Sequence, residues 1–506
     1  RELLEKKPKI LFWLNADFSN FAIAYFLQKK INADFYAIID VTKKPKKFFE
    51  QQKMVKFEKV WYFHDHIDPS YNVTDMEFLS NFEKKYDLDL WKNIINERIF
   101  YNFFDYYKFS KSELLSISEQ SGKLFEKILD DVKPDLLLAQ APVLFHSELF
   151  YELAMKKNVR CLLLSLPKIA GKCMVSQQVT KIDNIDNLVN MQVTKNRTDE
   201  EISSYLYKKS ADKIINEYVK SNFNSYNSLF NTFLKYLLTP NSNSNSNYTY
   251  YGRTKFNVIT KTIGLFFKKK LRENFMKDNL SFKTANLEPF VYFPLSVDME
   301  RNLLINTPFY TNQIETIRII AKSLPINYRL IVKENPGQEL REWRSSSYYK
   351  KILMIPNVTL IHPSIRGRDL VKNASLVISS TGSSALEASF FRTPSIILGD
   401  VFYSFLPSVH KITKLEDFPS LIKTALKTKI EMSDLNRFID ITEKTFVEFP
   451  AFEFEAEFNS RFYHGLFDVE INEDDLLGFL NKNENIFQDL INTHIEKIQQ
   501  YYEQKL

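Results

Sequence analysis

Residues 8–40, PKILFWLNADFSNFAIAYFLQKKINADFYAIID, run as an apolar burst, a polar loop, an amphipathic segment and a second apolar burst. That is the β-loop-α-β rhythm of a parallel sheet. It returns at 133–166, where KPDLLLAQ predicts a strand, SELFYELAMKKN a helix and VRCLLLSL a strand. The aromatic-rich stretch between the two, 71–130, reads as mostly helical. From about 177 to 285 the pattern turns polar, helical and rich in Lys and Asn, and it includes TPNSNSNSNYTYYG, a composition typical of a mobile loop or linker.

A second series follows: FVYFPLSV (290–297), a helix over 311–323, YRLIVKE (328–334), VTLIHP (358–363), a helix from 367, SLVISS (375–380), a helix over 383–391 and PSIILGD (394–400). Short, fully apolar strands separated by helices predict a sheet covered on both faces. Residues 401–506 read as mainly helical. The expected fold class is therefore α/β, with two Rossmann-like domains facing a cleft (GT-B-like), a helical insertion and a helical C-terminal tail. The expected boundaries are an N-terminal α/β domain over 1–176, a basic helical and low-complexity insertion over 177–285, a C-terminal Rossmann-like domain over 286–450 and a tail over 451–506.

Composition narrows the function classes. A chain of 506 residues exceeds one ordinary hydrophobic core. A net charge of +6 is small for that length and gives no reason to expect a nucleic-acid partner. Cys161 and Cys173 are too few for a disulfide framework or a multi-cysteine zinc site, which fits a reducing compartment. With no apolar run of about 18 residues and no signal pattern in the opening stretch, the expectation is a cytoplasmic protein. A peripheral contact with the inner face of the cell membrane is suggested by 253–283, which carries nine basic residues against two acids; such a segment suits anionic lipid or a polyanionic acceptor.

Glycine is scarce, ten in the chain, yet Gly337, Gly367, Gly382 and Gly399 fall close together. In VISSTGSSALEA the chain leaves a strand at Ser379, turns through Ser380, Thr381 and Gly382, and enters a helix near Ser383. Unpaired N–H groups and hydroxyls at such a turn suit a phosphate, and Glu387, one helical turn on, suits a ribose diol. The alternative is a plain serine helix cap. Lys333, Asn335 and Pro336 follow another strand end, where ligands of parallel sheets bind. Lys333 can pair with a phosphate and Asn335 can hydrogen-bond it. Asp298 and Glu300 lie past a third strand end and join Asp17, in the loop after the first strand, as catalytic candidates. His146 and Glu148 are second choices for the base. In an extended strand His64 and His66 of WYFHDHID would share one face as metal ligands, but no third ligand is evident and no metal is expected.

The stretches FPLSVDME, VKENP, PNVTLIHP and TGSSALEASFFRTPSIILGD, in this order over about 289–410, resemble the C-terminal half of the capsule polysaccharide biosynthesis family. That family includes transferases of 3-deoxy-manno-octulosonic acid (Kdo), which use a CMP-activated sugar. The resemblance implies a glycosyltransferase of surface-polysaccharide or glycolipid assembly, with a nucleotide-activated sugar as donor, a glycan or glycolipid as acceptor and no cofactor. Two positions depart from the family: Asn335 stands where it has His, and Met299 where it has Pro. A polyol-phosphate transferase of the teichoic acid type, a sugar-nucleotide epimerase and a non-catalytic glycan-binding or scaffold protein share the expected fold.

Overall fold

A computed structural model describes residues 7–68, 71, 74–102, 106–169, 171–206, 247–283, 289–464, 466 and 468–504. In chain order the described strands are β1 (Lys9–Asn15), β2 (Asp34–Asp40), β3 (Lys59–Tyr62), β4 (Leu136–Gln140), β5 (Arg160–Ile169), β6 (Lys172–Ser176), β7 (Phe290–Pro294), β8 (Arg329–Lys333), β9 (Val358–Ile361), β10 (Leu376–Ser379), β11 (Ser395–Ile397), β12 (Val409–Lys411) and β13 (Phe446–Glu448). They form two sheets, in the orders β13-β6-β5-β4-β1-β2-β3 and β12-β11-β10-β7-β8-β9. The chain divides accordingly into two compact units. The first is Arg1–Asp183, Tyr207–Asn257 and Thr445–Leu506, and the second is Asn184–Leu206 and Val258–Lys444.

The second sheet is parallel throughout, and its strand order is that of the Rossmann fold. The first has the same order over β1 to β5, all parallel, and is extended by antiparallel β6 and β13. Two Rossmann-type units in one chain, with helices at the C-terminus, make a GT-B-like composition.

Period-two alternation explains how a fully apolar strand such as β1 is covered on both sides. Ile10, Phe12 and Leu14 enter one core, with the helix Ser19–Gln28 and the C-terminal helices Ala451–Phe458, Glu473–Lys482 and Glu484–Glu503. Leu11 and Trp13 enter the other, with the helices Lys111–Val132 and Phe145–Lys156. Burial of each such large side chain stabilises by about 1.5–3 kcal/mol. β7 repeats the pattern, with Val291 and Phe293 on one side and Phe290 and Tyr292 on the other.

Two sequence expectations change. Phe63–His66 is a 3-10 turn, not an extended strand, so His64 and His66 lose the shared face that metal ligation would need. Among the described residues no group of three or more His, Cys, Asp or Glu could hold a metal ion. Residues up to 246 of the Ser/Asn-rich run lie outside the described residues, but its end is no linker: Asn247 and Tyr248 are buried in the first unit. The Tyr248 ring finds there an aromatic cluster of Phe63, Phe100 and Phe109, which outweighs the polarity of the preceding run. No helix among the described residues is long and apolar enough to cross a membrane.

Candidate functional site

In a Rossmann sheet the strand order reverses beside the first strand, and ligands bind beyond the carboxyl ends there. In the second unit the reversal falls between β7 and β10, and the sequence-predicted residues of that unit follow the ends of β7, β8 and β10. The hydroxyl-rich turn after β10 is largely satisfied within the second unit. Ser379 Oγ accepts from the Gly382 N–H (3.0 Å), Thr381 Oγ1 donates to the Asn302 carbonyl (2.9 Å), and Ser383 Oγ donates to Glu387 (3.2 Å). Tyr403 OH donates to the Gly382 carbonyl at 2.5 Å. The exception is Ser380, buried with its Oγ lacking any partner. Glu387 is half-buried. After burial itself, its charge is what raises the phenols of Tyr292 and Tyr403 above the ordinary tyrosine range.

Lys333, at the end of β8, is only 5% exposed. Its ammonium donates to the backbone carbonyl of Glu334 (3.1 Å), and burial lowers its pKa to about 8 against a smaller opposing pull from Glu334. His362, after β9, is pushed down by burial and then by the Lys333 charge. Asn335 works as a local cap: its Oδ1 accepts from the Gly337 N–H (2.9 Å) at the start of the 3-10 turn Pro336–Leu340.

Sequence reasoning missed the arginine that organises these ends. Arg344 donates to Glu334, to Asp298 (2.8 Å) and to the Ser296 carbonyl, while Tyr349 OH donates to the other Glu334 oxygen (2.7 Å). Gln313 adds a bond from Nε2 to Asp298 (2.9 Å). Glu334 is fully buried and Arg344 nearly so, and an unpaired charge there would be strongly destabilising. The Asp298 carboxylate is thus engaged in holding the loops after β7 and β8 together. Glu300 stands exposed before the short helix Arg301–Leu304. The signal available was the acid in VKEN itself, since a glutamate in a buried strand end requires a cation.

In the first unit the reversal falls between β1 and β4, and a cavity of about 240 Å³ opens there. Its polar lining includes Asn15, Asp40, Gln140, Ser147, Asn247 and Thr249, and Trp13 and Tyr250 add aromatic surface. Register places Asn15 beside Asp40. Asp40 accepts from His64 Nε2 (2.9 Å) and His146 Nε2 (2.7 Å), and Tyr248 OH bonds to His146 Nδ1. Burial alone would raise the Asp40 carboxyl, but the charge and hydrogen bonds of His146 and His64 outweigh it and hold it well below the usual range. His146, a second-choice base, is fully buried in this network, and Glu148 is buried on the same helix. Asn15 Oδ1 is a buried acceptor with no partner.

Asp17, just after β1, accepts from the Ser19 N–H (2.8 Å). Burial raises its pKa against the hydrogen bonds of Ser19 and Gln140. Glu455, from the C-terminal helices, is pushed up to about 8 by burial and then by the Asp17 charge. A neighbouring like charge makes a carboxyl harder to ionise, so Glu455 holds its proton further up the pH scale than an isolated glutamate. Sequence reasoning found Asp17 but not Glu455.

No protein family matches the chain's sequence, and no curated protein does. Among solved structures, the β-Kdo 2,7 transferase KpsC of Thermosulfurimonas dismutans is 13% identical, with 69% of this chain and 87% of that one covered at a TM-score of 0.29. The UDP-GlcNAc 2-epimerase of Methanocaldococcus jannaschii is 13% identical over 87% of this chain and 100% of its own, at 0.24; a structure of that enzyme in complex with UDP-GlcNAc and UDP scores likewise. The N-terminal domain of Candida albicans trehalose-6-phosphate phosphatase is 11% identical over 91% and 97%, at 0.31. At these scores the fold assignment rests on the strand orders given above.

Proposed function

We propose that this protein is a glycosyltransferase of surface-polysaccharide or glycolipid assembly, taking a sugar from a nucleotide-activated donor, with a CMP-sugar favoured by the motif resemblance. The observation that carries the reading is Lys333: a desolvated ammonium at the carboxyl end of β8, the strand beside β7, its one hydrogen bond among the described residues going to a backbone carbonyl. Such a group is matched by a phosphate, which supplies the charge-assisted bond the carbonyl does not. The buried, unpartnered hydroxyl of Ser380 adds a donor, with Thr381, Gly382, Ser383 and Ser379 shaping the turn and Glu387 facing the ribose. Asn335 and Pro336 set the position of the Lys333 loop.

The first unit takes the glycan acceptor. Its cavity offers a carboxylate, an unpartnered amide oxygen and aromatic surface, which suits the hydroxyls and C–H faces of a neutral sugar and repels a phosphate. Asp17, whose charge acts on the neighbouring Glu455, is the acceptor-side base. In the second unit the glycosyl–phosphate bond of the donor would break with Lys333 meeting the charge of the departing phosphate, as the acceptor hydroxyl bonds to the anomeric carbon and gives up its proton to a carboxylate base.

The test is product analysis after incubation with CMP-, UDP- and GDP-sugars and a glycan acceptor, for wild type and Lys333→Met. A glycoside formed by the wild type and lost in the variant supports the reading. A phosphodiester would assign a polyol-phosphate transferase, an altered free sugar nucleotide an epimerase, and acceptor binding without turnover a non-catalytic glycan-binding protein.

A further inference from the structure

The helix Lys255–Asn279 is amphipathic in an inverted sense. One face docks on the second unit: Lys269 pairs with Glu339 (2.6 Å), Arg272 pairs with Glu342 (2.6 Å), and Met276 enters the core. The opposite face carries Ile263, Phe266, Phe267 and Leu271, at i, i+3, i+4 and i+8 and therefore on one stripe. They are 55%, 69%, 63% and 69% exposed. Large apolar side chains exposed in such a contiguous row mark an interaction surface.

The charge around the stripe selects the partner. Around the helix Lys268 borders it on one side, Lys270 and Lys277 fall within its arc between Phe266 and Ile263, and all three are exposed. From Arg253 to Arg272 the chain has no Asp or Glu. Two copies meeting through this face would set like-charged rims against each other. A ridge of protruding side chains, rather than a groove, also lacks the concavity that grips a peptide. An apolar ridge with one lysine at its edge and two set among its side chains fits a bilayer surface of anionic lipid, with Phe and Leu among the acyl chains and the long lysine stems carrying their ammonium groups up to the phosphates.

We infer that the Lys255–Asn279 helix lies in the plane of an anionic membrane and holds the protein there through Ile263, Phe266, Phe267 and Leu271. This stands independently of the donor chemistry and would place the protein where a lipid-linked acceptor is found.

The test is co-sedimentation of the full chain with vesicles of phosphatidylcholine alone and of phosphatidylcholine mixed with phosphatidylglycerol. Two variants are compared with wild type, Ile263→Ser/Phe267→Ser/Leu271→Ser and Lys268→Gln/Lys270→Gln/Lys277→Gln. Wild type is expected to bind the anionic vesicles and to be released by salt. The serine variant should lose binding by at least about tenfold, and the glutamine variant by about fivefold for each charge removed, with thermal unfolding unchanged in both. The proposal is overturned if wild type fails to bind anionic vesicles or binds neutral ones equally, or if the serine variant binds like wild type. It is equally overturned if the serine variant loses its unfolding transition, which would mean this chain covers the stripe, or elutes at a smaller size, which would make the stripe an interface between copies.

Discussion

The two sheets of this protein reverse their strand order at equivalent places and end in opposite chemistry. Beyond β7, β8 and β10 the second unit holds a desolvated lysine and a buried, unpartnered hydroxyl, and its nearby acids Glu334 and Asp298 are engaged by Arg344. Beyond β1, β2 and β4 the first unit presents an ionised carboxylate, an open amide oxygen and an aromatic wall. On the proposed reading, one topology prepares one crevice for an anion and the other for a neutral polyol. Sheet order decides where a ligand sits; which strand-end charges are already spent decides which ligand it is.

Arg344 is where that contrast breaks most readily. Arg344→Met leaves Glu334 buried without its cation and should cost about 3–5 kcal/mol of stability, read from urea unfolding; a loss below about 1 kcal/mol would mean that Glu334 and Asp298 are not held as described. Lys333→Met should leave the fold intact and weaken nucleotide binding about 10- to 100-fold, the worth of a charged hydrogen bond, by calorimetry at pH 7. The same lysine gives that binding a pH dependence. Its pKa in the folded protein is lowered to about 8, so the ammonium is present below that pH and nucleotide affinity should fall as pH rises through it. Because the unfolded chain keeps the proton longer, stability should rise from about pH 8 to 10 in wild type and not in Lys333→Met.

In the first unit the sign is reversed. The Glu455 carboxyl is raised to about 8, so between its unfolded pKa, near 4, and 8 the folded state binds more protons and stability falls as pH rises. Glu455→Gln should flatten that slope and gain about 1–2 kcal/mol at pH 8; an unchanged slope would separate Glu455 from Asp17. The smallest effect sharpens the second crevice: Ser380→Ala removes a hydroxyl that has no partner, so unliganded stability should hold while nucleotide affinity drops about two- to tenfold. A loss of stability instead would make Ser380 a structural hydroxyl.

The strands that build both crevices were legible because short apolar runs bounded by polar turns have few other readings. SLVISS gave β10 and YRLIVKE gave β8, each within a residue or two. The chemistry at their ends was less so. A run of Ser and Thr does not disclose that three of its hydroxyls bond within the protein and one stays open. Arg344 meets acids 10 and 46 residues away, and Tyr248 meets a histidine 102 residues away from beside a low-complexity run. Such partners follow from tertiary packing, which local pattern does not encode. His64 and His66 would share a face only in an extended strand, and their 3-10 segment shows how far local alternation carries past a strand's end.

The most direct measurement is isothermal titration of CMP, CDP, UDP and GDP into wild type, Ser380→Ala/Thr381→Ala, Lys333→Met and Gln140→Ala. The division of chemistry between the crevices predicts one nucleotide that binds wild type and Gln140→Ala alike and is lost or greatly weakened in the other two. Nucleotide binding that survives both changes in the second unit but fails in Gln140→Ala would place the anion at the first crevice and contradict the account.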